Sequence, residues 1–292
     1  MPRISAPVFI IGGSRTGSEM LKTMLSASPH LDFVDELFLY CPRWLHKDLV
    51  TNIREHVGAL DRKESTKALV DLLYSGIPYG WFWDNVHQQL DREQFEKALE
   101  GSERTIPEIF TAIMYVHAAM NDKSGYGAKF PLHYSCADKL LDWYPDCKII
   151  HTTRNPKAVY ASQAAKYVKE TQSSISRAYL RFQHFVHINI QTSWTASIHR
   201  KLSGLDNYRL VRYEDTVRNP GEQLQSLCEF LGVEFIETML RPKQYGSSFN
   251  TIKGDKGVSQ SSLERYRNTT SRATRLFMDI AHSRAYKLLG YR

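Results

Sequence analysis

The 292-residue sequence has only four cysteines, Cys41, Cys136, Cys147 and Cys228, far apart and without a C-x-x-C pair. Their scarcity excludes a zinc ribbon and a dense disulfide framework, and it fits a reducing, cytoplasmic setting. No apolar stretch approaches the roughly 20 residues of a membrane span. The first apolar run, Val8 to Ile11, is too short for a signal-peptide core and leads straight into glycines. Neither export nor membrane anchoring is expected. The net charge of +7 favours an anionic partner, but no polybasic run and no basic segment interleaved with aromatics is present. Nucleic acid is therefore not the expected partner, and charge alone does not choose between an acidic membrane surface and a small phosphorylated molecule. Internal repeats and low-complexity segments are also lacking. What remains, 42% hydrophobic and 24% charged residues, is the composition of a globular chain with a sizeable core, and the length fits one domain, 1–292, with elaborations.

The run Pro7-Val8-Phe9-Ile10-Ile11, ending at Gly12-Gly13, reads as a buried strand feeding a tight turn. Leu21, Met24 and Leu25 then share one face at helical spacing from Ser18 onward. A second strand is expected at Leu31–Val34. An aromatic-rich middle, with Trp44, Tyr79, Trp81, Phe82 and Trp83, reads as a mainly helical covering segment over 40–125 whose aromatics either shape an acceptor pocket or pack the core. Further strands are expected at Tyr126–Phe130, Cys147–His151 and Tyr208–Val211. A helix is expected near His133–Trp143, and a long amphipathic one at Ser174–Leu202. Helices also start after Asn155-Pro156 and Asn219-Pro220, since Asn caps well and Pro suits the first turn. Alternating strands and helices imply an α/β fold: a parallel sheet with helices on both faces, in three layers.

Gly12-Gly13-Ser14-Arg15-Thr16-Gly17-Ser18 has the outline of a phosphate-binding loop, in which backbone N–H groups at a helix N-terminus face an anion. It lacks the lysine that nucleotide triphosphatases place immediately before the Ser/Thr. The strand at 147–151 continues into Thr152-Thr153-Arg154, with no acidic residue to hold a magnesium ion. Those two gaps disfavour a kinase or ATPase. A second basic loop, Arg154 through Ser162, falls at the carboxyl edge where open α/β sheets bind ligands. An anion held by both loops needs two well-separated negative groups.

Together these segments resemble the PAPS-dependent sulfotransferase family. The first loop is similar to its 5′-phosphosulfate loop and Arg154–Ser162 to its 3′-phosphate motif. Leu210-Val211-Arg212-Tyr213-Glu214-Asp215 followed by Asn219-Pro220 is similar to its late signature. The resemblance implies a P-loop, nucleotide-kinase-like sulfotransferase fold that needs no metal. It also implies transfer of a sulfonate group from 3′-phosphoadenosine-5′-phosphosulfate (PAPS) to a hydroxyl of a small-molecule or glycan acceptor. A tyrosyl peptide is the alternative acceptor, and a nucleotide or small-molecule kinase the alternative reaction. The pattern is closer to bacterial and Golgi-type members, which use a glutamate base, than to the cytosolic phenol and steroid enzymes.

Carried over by motif, Glu36 is the implied general base, with Asp35 its nearest rival. Arg15 is implied to hold the phosphosulfate, with Lys129, in Gly127-Ala128-Lys129-Phe130-Pro131, as a second cation. Gly13, Ser14, Thr16, Gly17 and Ser18 would form the 5′ cradle, and Arg154 and Ser162 would take the 3′-phosphate. The segments 245–248 and 253–258 are similar to the part of the family that closes over the cofactor, which implies Ser247 or Ser248 at the sulfonate, Lys256 at the 3′-phosphate and Gly257 among the cofactor-binding residues. The second hydroxyl residue usual after the loop glycine is replaced by Glu19, which is expected to point away. His184 and His187 lie three apart on one helix without a third ligand nearby, so they read as ordinary helix-face histidines.

Overall fold

A computed structural model describes residues 6–35, 49–60, 63–74, 90–167, 173–241, 260 and 263–291. Five parallel strands form one sheet: β1 (Val8–Gly12), β2 (Leu31–Asp35), β3 (Gly125–Phe130), β4 (Lys148–Thr153) and β5 (Tyr208–Arg212). Their spatial order is β2-β3-β1-β4-β5, so β1 lies at the centre with β3 on one side and β4 on the other. All five runs foreseen in the sequence are strands, each within a residue or two of the expected bounds. Register aligns Ile10 with Lys129 and Gly12 with Thr152, which brings the carboxyl ends of the three central strands to one edge.

The helices are α1 (Ser18–Ser26), α2 (Leu49–Asn52), α3 (Lys63–Tyr74), α4 (Arg92–Glu100), α5 (Ile106–Met120), α6 (Ala137–Trp143), α7 (Pro156–Tyr167) and α8 (Ser174–Leu202), then α9 (Tyr213–Arg218), α10 (Pro220–Leu231), α11 (Tyr266–Thr269), α12 (Arg272–Ala281) and α13 (Ser283–Leu288). Alternate strand residues feed opposite layers. Phe9 and Ile11 pack with α3, α4 and α5 residues such as Leu69, Phe95 and Phe110, whereas Val8 and Ile10 pack with Met20, Leu21, Leu224 and Leu227 of α1 and α10. Period-two side-chain alternation along a strand produces that division, and it makes three layers.

Two helix starts that look alike in sequence differ in structure. The Asn155 side chain accepts from the Lys157 N–H at 3.0 Å and caps α7. Asn219 makes no side-chain cap to α10, which relies on Pro220 in its first turn instead. The long helix α8 has the expected bounds but not the expected amphipathicity. Its buried face carries Gln191, Thr192 and Thr195, while Ile175, Tyr179 and Phe182 are exposed. At least part of that polar face lies against the glycine loop, Gln191 standing next to Gly13, while the Thr192 hydroxyl donates to the Ile188 carbonyl of its own helix at 2.7 Å.

Candidate active site

The glycine loop leaves the central strand and turns into α1 through left-handed backbone at Arg15 (φ 66°) and Gly17 (φ 96°). Left-handed geometry at a non-glycine costs roughly 1–2 kcal/mol, so the surrounding packing must hold Arg15 in place. Neighbours fit the glycines closely. A Cβ on Gly13 would fall 1.9 Å from Nε2 of Gln191, and one on Gly17 would fall 2.5 Å from Cδ2 of Tyr213. Thr16 is buried and ties the loop together: its hydroxyl donates to the Gly13 carbonyl at 2.7 Å and lies 2.8 Å from the Thr152 hydroxyl. Gly17, at the N-cap position of α1, gives that helix no side-chain cap. The first-turn N–H groups, including that of the buried Ser18, thus form an opening suited to an anion.

On the β4 side, the structure brings Arg15, Arg154 and Ser162 together. Arg15 Nε donates to Ser162 Oγ at 3.1 Å, and Arg154 Nη1 donates to the Arg15 carbonyl at 3.4 Å. Arg154 is 9% exposed and its guanidinium lies 4.1 Å from the centroid of the Tyr213 ring. Burial pulls the Arg154 pKa below the ordinary arginine value; Tyr213 and Glu214 oppose that pull and Arg15 adds to it. A buried guanidinium stacked on a ring keeps its forked donors oriented, which suits a phosphate. Beside it lies a small open recess that Thr16, Arg154, Gln191 and Thr195 help to wall.

The late signature gains a mechanical meaning here. Tyr213 packs under both Gly17 and Arg154, while Glu214 accepts from the Asn155 N–H at 2.9 Å and from the Tyr291 hydroxyl at 3.3 Å. Burial first, and Glu214 second, raise the Tyr291 pKa well above that of a free tyrosine, which keeps it a donor. Tyr213 and Glu214 stand in the signature quoted from the sequence, yet their role as the floor of the arginine cluster was not read there. Gln191 and Tyr291 carried no sequence signal of belonging to the site.

Across β1, the β3 side holds a different set. Lys129 is almost fully buried and its Nζ lies 2.5 Å from Glu19 Oε2. Glu19 Oε1 also lies 3.3 Å from Nζ of Lys22. Glu19, expected to point away, reaches across to Lys129, the candidate second cation. A buried ammonium requires a counter-charge, and with the usual hydroxyl residue replaced, Glu19 supplies it. Arg15 and Lys129 consequently occupy opposite flanks of the loop. The backbone of β2 ends at Asp35, the register partner of Lys129. Glu36, the next residue, lies outside the described residues, as do Ser247, Ser248, Lys256 and Gly257 and the aromatics Trp44, Tyr79, Trp81, Phe82 and Trp83.

His184 and His187 are held below the usual histidine pKa chiefly by burial. Among the described residues no group of three or more His, Cys, Asp or Glu side chains is arranged to hold a metal ion. No described helix is long and apolar enough to cross a membrane.

A family model described as "Sulfotransferase family" matches residues 7–237. Among solved structures, the sulfotransferase domain of the Synechococcus PCC 7002 olefin synthase aligns at 22% identity and a TM-score of 0.54, covering 96% of this chain and 94% of its own. The sulfotransferase domain from the curacin biosynthetic pathway aligns at 18% identity and a TM-score of 0.56, covering 96% and 98%. A sulfotransferase from Alicyclobacillus acidocaldarius aligns at 15% identity and a TM-score of 0.50, covering 98% and 94%. At these identities the structural likeness speaks to the fold. No curated protein sequence matches.

Proposed function

The chain belongs to the sulfotransferase family, and from that premise we propose that it transfers a sulfonate group from PAPS to a hydroxyl of a small-molecule or glycan acceptor. The observation that carries the choice of donor is the cluster of Arg15, Arg154 and Ser162 at the carboxyl edge, beside but apart from the opening at α1. Two anion seats suit a nucleotide with separate 3′ and 5′ phosphates. Their donor set of guanidinium, hydroxyl and backbone N–H fits phosphate oxygens.

In this reading Gly13, Ser14, Thr16, Gly17 and Ser18 form the cradle for the 5′ end, with Thr16 acting through the loop it braces. Arg154 and Ser162 take the 3′-phosphate. Arg15, which bridges the two seats by its backbone and side chain, steadies the phosphate that departs. Ser247 or Ser248 is assigned to the sulfonate and Lys256 to the 3′-phosphate, with Gly257 in the same cofactor-binding set. PAPS supplies an activated sulfonate. Glu36 takes the proton of the acceptor hydroxyl as the oxygen attacks sulfur in line, and Lys129 stabilises the charge that builds on the sulfonate oxygens. The new O–S bond replaces the bond from sulfur to the phosphate oxygen, and the 3′,5′-bisphosphate leaves.

Incubation with PAPS and a panel of alcohols, phenols and sugars, read by mass spectrometry, should yield a sulfated acceptor and the bisphosphate without added metal. Glu36→Gln should cut kcat by about 100-fold or more with bisphosphate affinity kept, because a base acts in the transition state. Full turnover in that variant would remove Glu36 from the role.

A further inference from the structure

The first half of α8 leaves an apolar stripe in water. Ile175, Tyr179, Phe182, Val186 and Ile190 are 40–81% exposed. The first four follow one another at steps of four, three and four residues, the a/d spacing of a coiled-coil seam, and Ile190 lies a turn further along the same face. At 1.5 Å per residue the stripe is about 22 Å long. It continues sideways onto α12: the rings of Phe185 and Phe277 meet with centroids 5.3 Å apart. On that helix Leu276, Phe277 and Ile280 are 53–69% exposed, whereas Met278 is buried.

The size of this face sets it apart from ordinary surface. At about 200 Å² for a whole large apolar residue, the α8 stripe and the three α12 residues leave on the order of 800 Å² uncovered. The largest apolar patch of a typical monomer is about 300–600 Å², while each side of a standard interface contributes about 800 Å². We propose that a second copy of this chain docks here, with α8 packing on α8 about a twofold axis. A coiled-coil seam is completed by a helix of the same repeat, which symmetry supplies. The positions flanking the seam are Ser176, Ala178, Gln183 and Phe185, none of them charged. Flanking charges select a different partner by sign, whereas a twofold axis sets each charge near its own copy, so a self-docking seam has to do without them. Arg177 and Arg181 lie on the far side of the helix by its 3.6-residue turn. With a net charge of +7 on each copy, that placement keeps like charges out of the contact.

Sedimentation velocity of the intact chain tests this. Between about 1 and 100 µM the wild type should pass from single-chain mass to twice that mass. Phe182→Glu, which sets two carboxylates in an apolar seam, should weaken association by about 100-fold or more. Leu276→Glu should weaken it as well, through the α12 part of the face. Arg177→Glu makes a larger charge change on the far side of α8 and should leave the dimer intact. Phe182 and Leu276 are both exposed, so the variants should keep the wild-type melting temperature; if Phe182→Glu does not fold, Leu276→Glu carries the test. A wild type that stays at single-chain mass at the highest concentration overturns the proposal. A dimer that persists in either folded variant does the same, since its contact then lies elsewhere. Monomers that float with phosphatidylcholine vesicles would assign the face to a lipid surface and overturn it too.

Discussion

On the proposed PAPS reading, Arg154 is the residue that distinguishes a bisphosphate from a monophosphate. Its guanidinium leaves water for the face of Tyr213 and the neighbourhood of Glu214, so its position is fixed before any ligand arrives. Arg154→Ala should weaken 3′,5′-bisphosphate binding by about 100-fold and leave 5′-monophosphate binding nearly unchanged, since charge-assisted hydrogen bonds are worth about 1.5–3 kcal/mol. Equal losses for both ligands, measured by titration, would show that the arginine only supports the loop. His151 makes a separate prediction about stability. It is wholly buried on β4, 2.8 Å from the Tyr208 hydroxyl, and burial, aided by His199, lowers its pKa from 6.5 to about 3. Above pH 6.5 it is neutral in both folded and unfolded chains and adds no slope. Below that value the unfolded chain gains a proton that the folded chain refuses, so stability should fall by about 1.4 kcal/mol per pH unit from this residue as the pH drops toward 3. Denaturant unfolding between pH 7.5 and 5 checks this: His151→Asn should flatten the acid limb by about one proton, and an unchanged limb would refute the assignment.

The loop from β1 to α1 works as an element only because its neighbours leave no room for side chains at the glycines. Gly17→Ala would combine left-handed backbone with a Cβ 2.5 Å from Tyr213. It should cost about 2 kcal/mol or more and displace the ring on which Arg154 rests, so both melting temperature and bisphosphate affinity should drop. Gly204→Ala, where a Cβ would meet nothing within 4 Å, is the matching control and should change neither. At this scale the sequence was informative wherever local pattern and burial agree. Each strand is a short run whose central residues pack on both faces, so Val8–Ile11 and Ile149–Ile150 could be recognised without knowing their partners. The glycine loop, Arg154 and Ser162 were legible for the same reason, being carried by contiguous motifs. Pairings across the chain were not legible. Glu19 meets Lys129 across 110 positions and Arg15 meets Ser162 across 147, and only the strand order β3-β1-β4 brings them together. The polar buried face of α8 was misjudged for the related reason that periodicity reports which residues share a face, not what that face packs against.

Over the whole molecule the net charge is +7, and two of its cationic groups stand at this edge. The β4 side sets two arginines beside a hydroxyl; the β3 side sets two lysines against a carboxylate. Binding of a multiply charged bisphosphate should therefore weaken as ionic strength rises from 50 to 500 mM, more steeply for the bisphosphate than for the 5′-monophosphate, because more charge pairs are screened. The most direct test of the central claim is calorimetric titration of the intact protein with 3′,5′-bisphosphate, beside 5′-monophosphate and ATP with magnesium. A PAPS site predicts tight binding of the bisphosphate that does not need metal and clear discrimination against the other two; preference for ATP with magnesium would contradict the donor assignment and point to phosphoryl transfer instead.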